Sequence, residues 1–222
     1  MTPNSTSRMN ARERVQSMVY VVDDDESMRR GLENLLRSSG LNVETFASSR
    51  EFQAVSRFDV PSCLILDVRL RGESGLAFQE EVAHHGLRMQ IVIMTGYGDV
   101  QMAVKAMKAG ALDFFTKPFR EQDMLDAVAQ ALARSARQLA ADRSLASLRT
   151  CHDSLTSREQ EVMKHVVAGL PNKRIAARLN LSEVTVKIHR AQVMRKMAVQ
   201  SVADLVRMAE ALDIEPPPDR RH

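Results

Sequence analysis

At 222 residues, with 44% hydrophobic and 27% charged side chains, the chain suits one large domain or two modest ones, each able to build a core. No apolar run approaches the roughly 18 residues needed to span a bilayer, and the polar N-terminus lacks a signal-peptide core, so a cytosolic protein with no membrane partner is expected. The two cysteines, Cys63 and Cys151, stand far apart without CxxC or histidine spacing, which argues against zinc sites and disulfide frameworks.

The net charge of +3 is unevenly spread. Residues 19–133 hold 12 Lys and Arg against 17 Asp and Glu, whereas residues 151–222 hold 12 against 9. Within residues 172–196, seven basic residues face Glu183 alone. An acidic half joined to a half with a concentrated basic segment points to nucleic acid as the partner of the second half.

In chain order, residues 1–17 are polar and aperiodic, the composition of a disordered lead-in. Met18–Val22 reads as a strand running into Asp23, Asp24, Asp25 and Glu26. A helix follows with Met28, Leu32, Leu35 and Leu36 on one stripe and Gly40 as its stop. The cycle repeats. Strand Asn42–Phe46 leads to helix Ser49–Ser56, strand Cys63–Asp67 to helix Gly75–His84, and strand Gln90–Thr95 to helix Val100–Ala109. Asp113–Thr116 then leads through Lys117-Pro118 to a helix from about Glu121. Five strands alternating with five helices predict a doubly wound, flavodoxin-like α/β domain over residues 18–133. The parallel order 2-1-3-4-5 places its switch point between strands 1 and 3.

That topology gathers separate residues. Asp23 and Asp24, Asp67, Thr95 and Lys117 all lie at or just beyond C-terminal strand ends, where open α/β sheets hold ligands. Singly each has a plain structural reading: Asp67 as a loop cap, Asp25 and Glu26 as helix caps, Thr95 as turn chemistry. Together they suit phosphoryl transfer onto Asp67. Carboxylates in one crevice repel and favour a hard cation such as Mg2+, bound at about 2.0–2.1 Å. An Asp carboxylate can attack phosphorus, and a cation, a lysine and a hydroxyl would stabilise the transferring charge.

This set, with Pro118-Phe119 and Met107-Lys108-Ala109-Gly110-Ala111, resembles the receiver domain of two-component response regulators. The resemblance implies that Asp67 is the phosphoacceptor, fed by a sensor histidine kinase. It implies Asp23, Asp24, Asp67 and the backbone carbonyl of Arg69 around Mg2+, and a cis Lys117–Pro118 bond. Thr95, Lys117 and Phe114 would be the residues that sense the phosphoryl group. The sequence departs from the family at Arg71, where a proline usually stands, so the geometry of that loop and the phosphoryl lifetime are open. A phosphohydrolase with an Asp nucleophile is the alternative, but its Asp-x-Asp-x-Thr pattern needs a second acid where Arg69 stands.

Leu125, Leu132, Leu139 and Ala146 recur at seven without Gly or Pro, so residues 134–150 read as a helical linker. Thr156 and Glu159 form a capping box for a helix carrying Val162, Val166 and Val167. Asn172 is expected to cap a short helix, Asn180-Leu181 to turn, and Ser182 to cap a longer helix through Lys196. Helix Ser201–Leu212 closes an all-α four-helix helix-turn-helix unit over residues 151–214, before a disordered tail at 215–222. On the longer helix Val186, Val193 and Met197 form the core stripe, with Val184, Lys187, Ile188, Ala191 and Arg195 opposite. That surface suits the major groove, with Lys187 at guanine edges and Ile188 and Ala191 at thymine methyls. Lys173, Thr185, Arg190 and Lys196 suit phosphates; a merely solvated basic helix is the alternative.

These motifs look like the LuxR-type helix-turn-helix, and the whole chain resembles FixJ- and NarL-type transcriptional regulators. The resemblance implies homodimerisation on phosphorylation through helix 4 and strand 5, with Val104 at the contact and Lys108 paired to Asp113 of the second copy. Double-stranded DNA half-sites follow as the target and RNA polymerase as a further candidate partner. The chain is read as a switch, not an enzyme. A helix-turn-helix that docks a protein without reading DNA is the rival.

Overall fold

The computed structural model describes residues 16–55, 59–70, 73–84, 89–215 and 217. Residues 1–15 of the expected lead-in, Arg71, Ser56 and most of the expected tail lie outside them. The chain divides into two compact units, Met1–Ala140 and Ala141–His222.

In the first unit β1 (Met18–Val22), β2 (Val43–Phe46), β3 (Ser62–Asp67), β4 (Gln90–Thr95) and β5 (Asp113–Thr116) alternate with helices. These are α1 (Glu26–Ser38), α2 (Ser49–Ala54), α3 (Gly75–His84), α4 (Val100–Lys108) and α5 (Glu121–Asp153). The strands form one parallel sheet in the order β2-β1-β3-β4-β5, as expected from the alternation. Strands β1 and β3 are buried at every position, the signature of a sheet covered on both faces. The twofold period of a strand divides their side chains between two cores. Tyr20, Val22, Leu64 and Leu66 meet Phe52, Phe78, Val82 and Ala106 from α2, α3 and α4. Val19, Val21, Cys63 and Ile65 meet Leu32 and Leu36 of α1 and Met124, Val128 and Ala131 of α5. Burial pushes the Cys63 thiol up to about 12, which leaves it a core residue.

Local chemistry sets the element ends. The Asp25 carboxylate caps α1 by accepting from the Ser27 and Met28 N–H groups, and Gly40 follows the helix at φ 79°. Helix α2 is shorter than expected: Val55, in extended backbone, ends it after Ala54. Beyond β3, Arg69–Leu70 pairs antiparallel with Glu73–Ser74, a hairpin too short to carry any sequence periodicity. The Ser135 hydroxyl in α5 accepts the Ser62 N–H at 2.9 Å, fixing the helix to the start of β3. Residues 134–150 lie wholly within α5.

The second unit contains α6 (Ser157–Val167), α7 (Asn172–Leu179), α8 (Glu183–Lys196) and α9 (Val202–Ala211). The expected capping box at α6 is present, with both Thr156 and Glu159 side chains engaged. Asn180 takes the left-handed conformation at φ 54° to turn the chain between α7 and α8, and Ser182 caps α8. One expectation is corrected. Pro171, not Asn172, occupies the cap position of α7 and has no polar side chain to cap it, while the Asn172 Oδ1 accepts from the Arg190 guanidinium at 2.8 Å. Val162, Ile175, Val186, Val193, Met197 and Leu205 fill the core of this unit.

Candidate functional site

The ends of β1, β3 and β5 bring four of the expected side chains together, Asp23, Asp24, Asp67 and Lys117. Asp23, Asp24 and Asp67 each offer a carboxylate oxygen within 4.8 Å of the others. Lys117 donates from Nζ to Asp67 Oδ2 at 2.6 Å and to Asp23 Oδ2 at 2.7 Å. The remaining oxygens are held by the backbone, Asp67 Oδ1 by the Arg69 N–H at 3.0 Å and Asp23 Oδ1 by the Asp25 N–H at 2.8 Å. Lys117 follows β5 through a cis bond to Pro118. Arg69, Gly96 and Tyr97 complete the mouth of the crevice.

Burial and charge work against each other here. Burial raises the Asp23 carboxyl pKa, and the Lys117 and Asp25 hydrogen bonds offset it only in part. For Lys117 burial acts downward, but the hydrogen bonds to Asp23 and Asp67 outweigh it and raise its pKa. Lys117 engages Asp23 and Asp67 directly, and Arg29 and Arg69 also line the crevice that holds the three carboxylates. Their all-oxygen donor set fits a hard divalent cation.

Thr95 is fully buried, and its hydroxyl makes only long contacts with the Tyr97 N–H at 3.3 Å and the Tyr97 carbonyl at 3.4 Å. Phe114 is half-buried against the core beneath α4. The expected contact residues Val104 and Lys108 are exposed on α4, beside exposed Val100 and Met107. Asp113 is half-buried and accepts the Phe114 N–H at 2.8 Å.

On α8 the division of faces follows the helical period: Val186 and Val193 are buried, whereas Val184, Lys187, Ile188, Ala191 and Arg195 are exposed. Lys173 is also exposed, and Thr185 pairs with the Ser182 hydroxyl at the helix start. Two cations assigned to phosphates from the sequence have internal partners. Arg190 bonds to Asn172, and Lys196 donates to Glu159 Oε2 at 2.6 Å and to the Ser154 carbonyl at 3.0 Å.

Several site residues carry no sequence signal of their own. The Arg69 guanidinium lies 4.8 Å from the centroid of the exposed Tyr97 ring, within cation–π range. Arg29, one turn into α1, reaches the Asp23 carbonyl at 2.7 Å. Gly75 packs so closely beneath the acidic loop that a Cβ would stand 2.1 Å from the Asp67 carbonyl oxygen. Its place at the start of a helix that follows a turn is the only hint available from the sequence.

Comparison with known proteins bears on both units. The family "Response regulator receiver domain" matches residues 19–129, and "Bacterial regulatory proteins, luxR family" matches residues 153–209. Nodulation protein W of Bradyrhizobium diazoefficiens is 51% identical over 90% of this chain and 88% of its own. The transcriptional regulatory protein FixJ of Azorhizobium caulinodans is 40% identical over 90% and 95%. Among solved structures, the response regulator StyR is similar with a TM-score of 0.81 at 45% identity, covering 88% of this chain and 98% of that one.

The Glu159 ion pair has a pH consequence. The Lys196 hydrogen bond, followed by the Thr156 N–H, holds the Glu159 carboxyl below its ordinary value. A carboxyl depressed in the folded state adds stability above its unfolded pKa and loses it as pH falls through its folded pKa. Stability should therefore fall on acidification below the ordinary glutamate value of about 4.3, and Glu159→Gln should remove part of that loss. Denaturant unfolding of both full-length proteins from neutral pH to about pH 3 reads this; superimposable pH profiles would show that the pair contributes nothing.

Proposed function

This chain belongs to the two-component response regulators that join a receiver domain to a LuxR-type DNA-binding domain; on that footing we propose that Asp67 is its phosphoacceptor. The observation that carries this reading is the convergence of Asp23, Asp24 and Asp67 within 4.8 Å, with Lys117 donating to Asp67. An Asp67 carboxylate oxygen attacks the phosphorus of a phosphohistidine on a sensor kinase; the O–P bond forms as the N–P bond breaks, and the histidine leaves. Asp23, Asp24, Asp67 and the Arg69 carbonyl would hold Mg2+, which would supply positive charge to the transferring group. Lys117 then exchanges its bond to Asp67 for one to the phosphoryl oxygens. The Thr95 hydroxyl, held in this structure only by long contacts, turns to the same group, and Phe114 follows.

The regulator acts in the cytosol, with a receiver over residues 18–133, a linker over 134–150 and a DNA-binding domain over 151–214. Phosphorylation shifts the receiver between two existing states and favours a homodimer through α4 and β5. The exposed Val100, Val104 and Met107 support that contact, with Lys108 facing Asp113 of the second copy. The dimer presents two α8 helices to two promoter half-sites. Lys187, Val184, Ile188, Ala191 and Arg195 face the bases, and Lys173 and Thr185 the phosphates. Arg190 and Lys196 can serve there only by exchanging their internal partners. RNA polymerase is a further candidate partner.

Asp67→Asn should abolish acetyl phosphate-dependent dimerisation in the presence of Mg2+ while the fold survives, as read by sedimentation and circular dichroism. Undiminished dimerisation of that variant would sink the assignment. Lys187→Ala should cost about 1–3 kcal/mol of DNA affinity and relax sequence preference. Affinities measured over a panel of duplexes decide it, since a uniform loss would move Lys187 to the phosphates.

A further inference from the structure

Helix α4 is held to the receiver by few of its own side chains. Val100, Val104 and Met107 lie exposed on it, Met102 and Ala103 are half-buried, and Ala106 alone is buried. A polar contact supplements that anchor. Gln79, fully buried in α3, donates from Nε2 to the Ala106 carbonyl at 2.9 Å. The same carbonyl accepts the Ala111 N–H at 3.0 Å, where the chain turns through Gly110 at φ 91°. Both lone pairs of one oxygen are therefore in use, one by the end of α4 and one by the neighbouring helix.

Gln79 also stands on the element that leaves the acidic crevice. The Gly75 N–H, at the start of α3, donates to the Val68 carbonyl at 2.8 Å, and Val68 follows Asp67 directly. Gln79 lies one turn farther along α3. A connected path thus runs from the loop beside Asp67, through the first turn of α3, to the last turn of α4, and it passes through neither Thr95 nor Phe114. The other half of the Gln79 amide is unsatisfied: Oε1 is buried without a hydrogen-bond partner among the described residues. A leucine or methionine would fill such a place without orphaning an acceptor, so packing alone does not account for a glutamine here. What the amide adds is direction. Apolar contact lets two helices slide, whereas a buried hydrogen bond specifies one register.

We propose that Gln79 is a positioning residue that latches α4 to α3 in the register seen here and so opposes the dimer until Asp67 is phosphorylated. This rests on the reading that phosphorylation favours a dimer through α4 and β5, and it adds to that reading the contact that restrains α4. The latch is closed while Lys117 holds Asp67, so it stabilises that arrangement. Without it α4 shifts against less opposition, which favours the dimer before any phosphoryl group arrives.

The test uses the full-length chain with and without acetyl phosphate and Mg2+, reading phosphoryl occupancy by mass spectrometry and the dimerisation constant by sedimentation. Gln79→Met keeps an unbranched side chain of similar length and removes both amide groups, and Gln79→Leu is a second apolar replacement should one of them pack poorly. Both should melt as cooperatively as the wild type. Without donor they should dimerise several-fold more tightly than the wild type, and with donor, at equal occupancy, they should match it. Hydrogen exchange on the same samples should quicken in residues 100–111 and stay unchanged in β1 and β3. Wild-type dimerisation constants and exchange in both variants, or dimerisation weakened both with and without donor, would overturn the inference alone. A wild type that is phosphorylated without dimerising would overturn the dimer reading, and the inference with it.

Discussion

Like charge held close is the constraint on which the rest of this molecule depends. Carboxylate oxygens within 4.8 Å of one another repel by about 3–4 kcal/mol per pair at an effective dielectric of about 20. Lys117 stands between Asp23 and Asp67 and offsets part of that repulsion. The three clustered carboxylates offer an all-oxygen donor set suited to a hard divalent cation. The parallel sheet makes the cluster possible, because only its register carries residues from positions 23, 67 and 117 to one edge.

A site poised in this way acts on the protein only if its neighbours can move in discrete steps. The buried Thr95 hydroxyl has only long contacts, and Phe114 sits half-buried against the core. The strands beside them are close-packed on both faces. In the second unit Lys196 satisfies the buried Glu159, and Arg190 holds Asn172 at the start of α7, so α8 is braced at both neighbours while Lys187, Ile188 and Ala191 remain exposed.

Much of this was legible in the sequence. Strand and helix order follow from apolar periodicity broken by Gly and cap residues, and the convergence of Asp23, Asp24, Asp67 and Lys117 follows from strand ends alone. The capping box at Thr156 and Glu159 was legible because its partners are three residues apart. What stayed hidden depends on distances across the fold. Nothing local marks Lys196 as the partner of Glu159, 37 residues away, and as a cation on a basic helix it read as a phosphate contact. Asn172 read as a cap because its type favours caps, whereas its side chain serves Arg190. Gly75 resembles an ordinary turn glycine until the backbone beside it is placed.

The central claim is that the acidic crevice exists to receive a phosphoryl group on Asp67. It is tested most directly by treating the full-length protein with acetyl phosphate and Mg2+, trapping the acyl phosphate by borohydride reduction and locating the modified residue by peptide mass spectrometry. The account predicts a single Mg2+-dependent modification at Asp67. Modification at Asp23 or Asp24 instead, or none when Mg2+ and donor are both present, would contradict it.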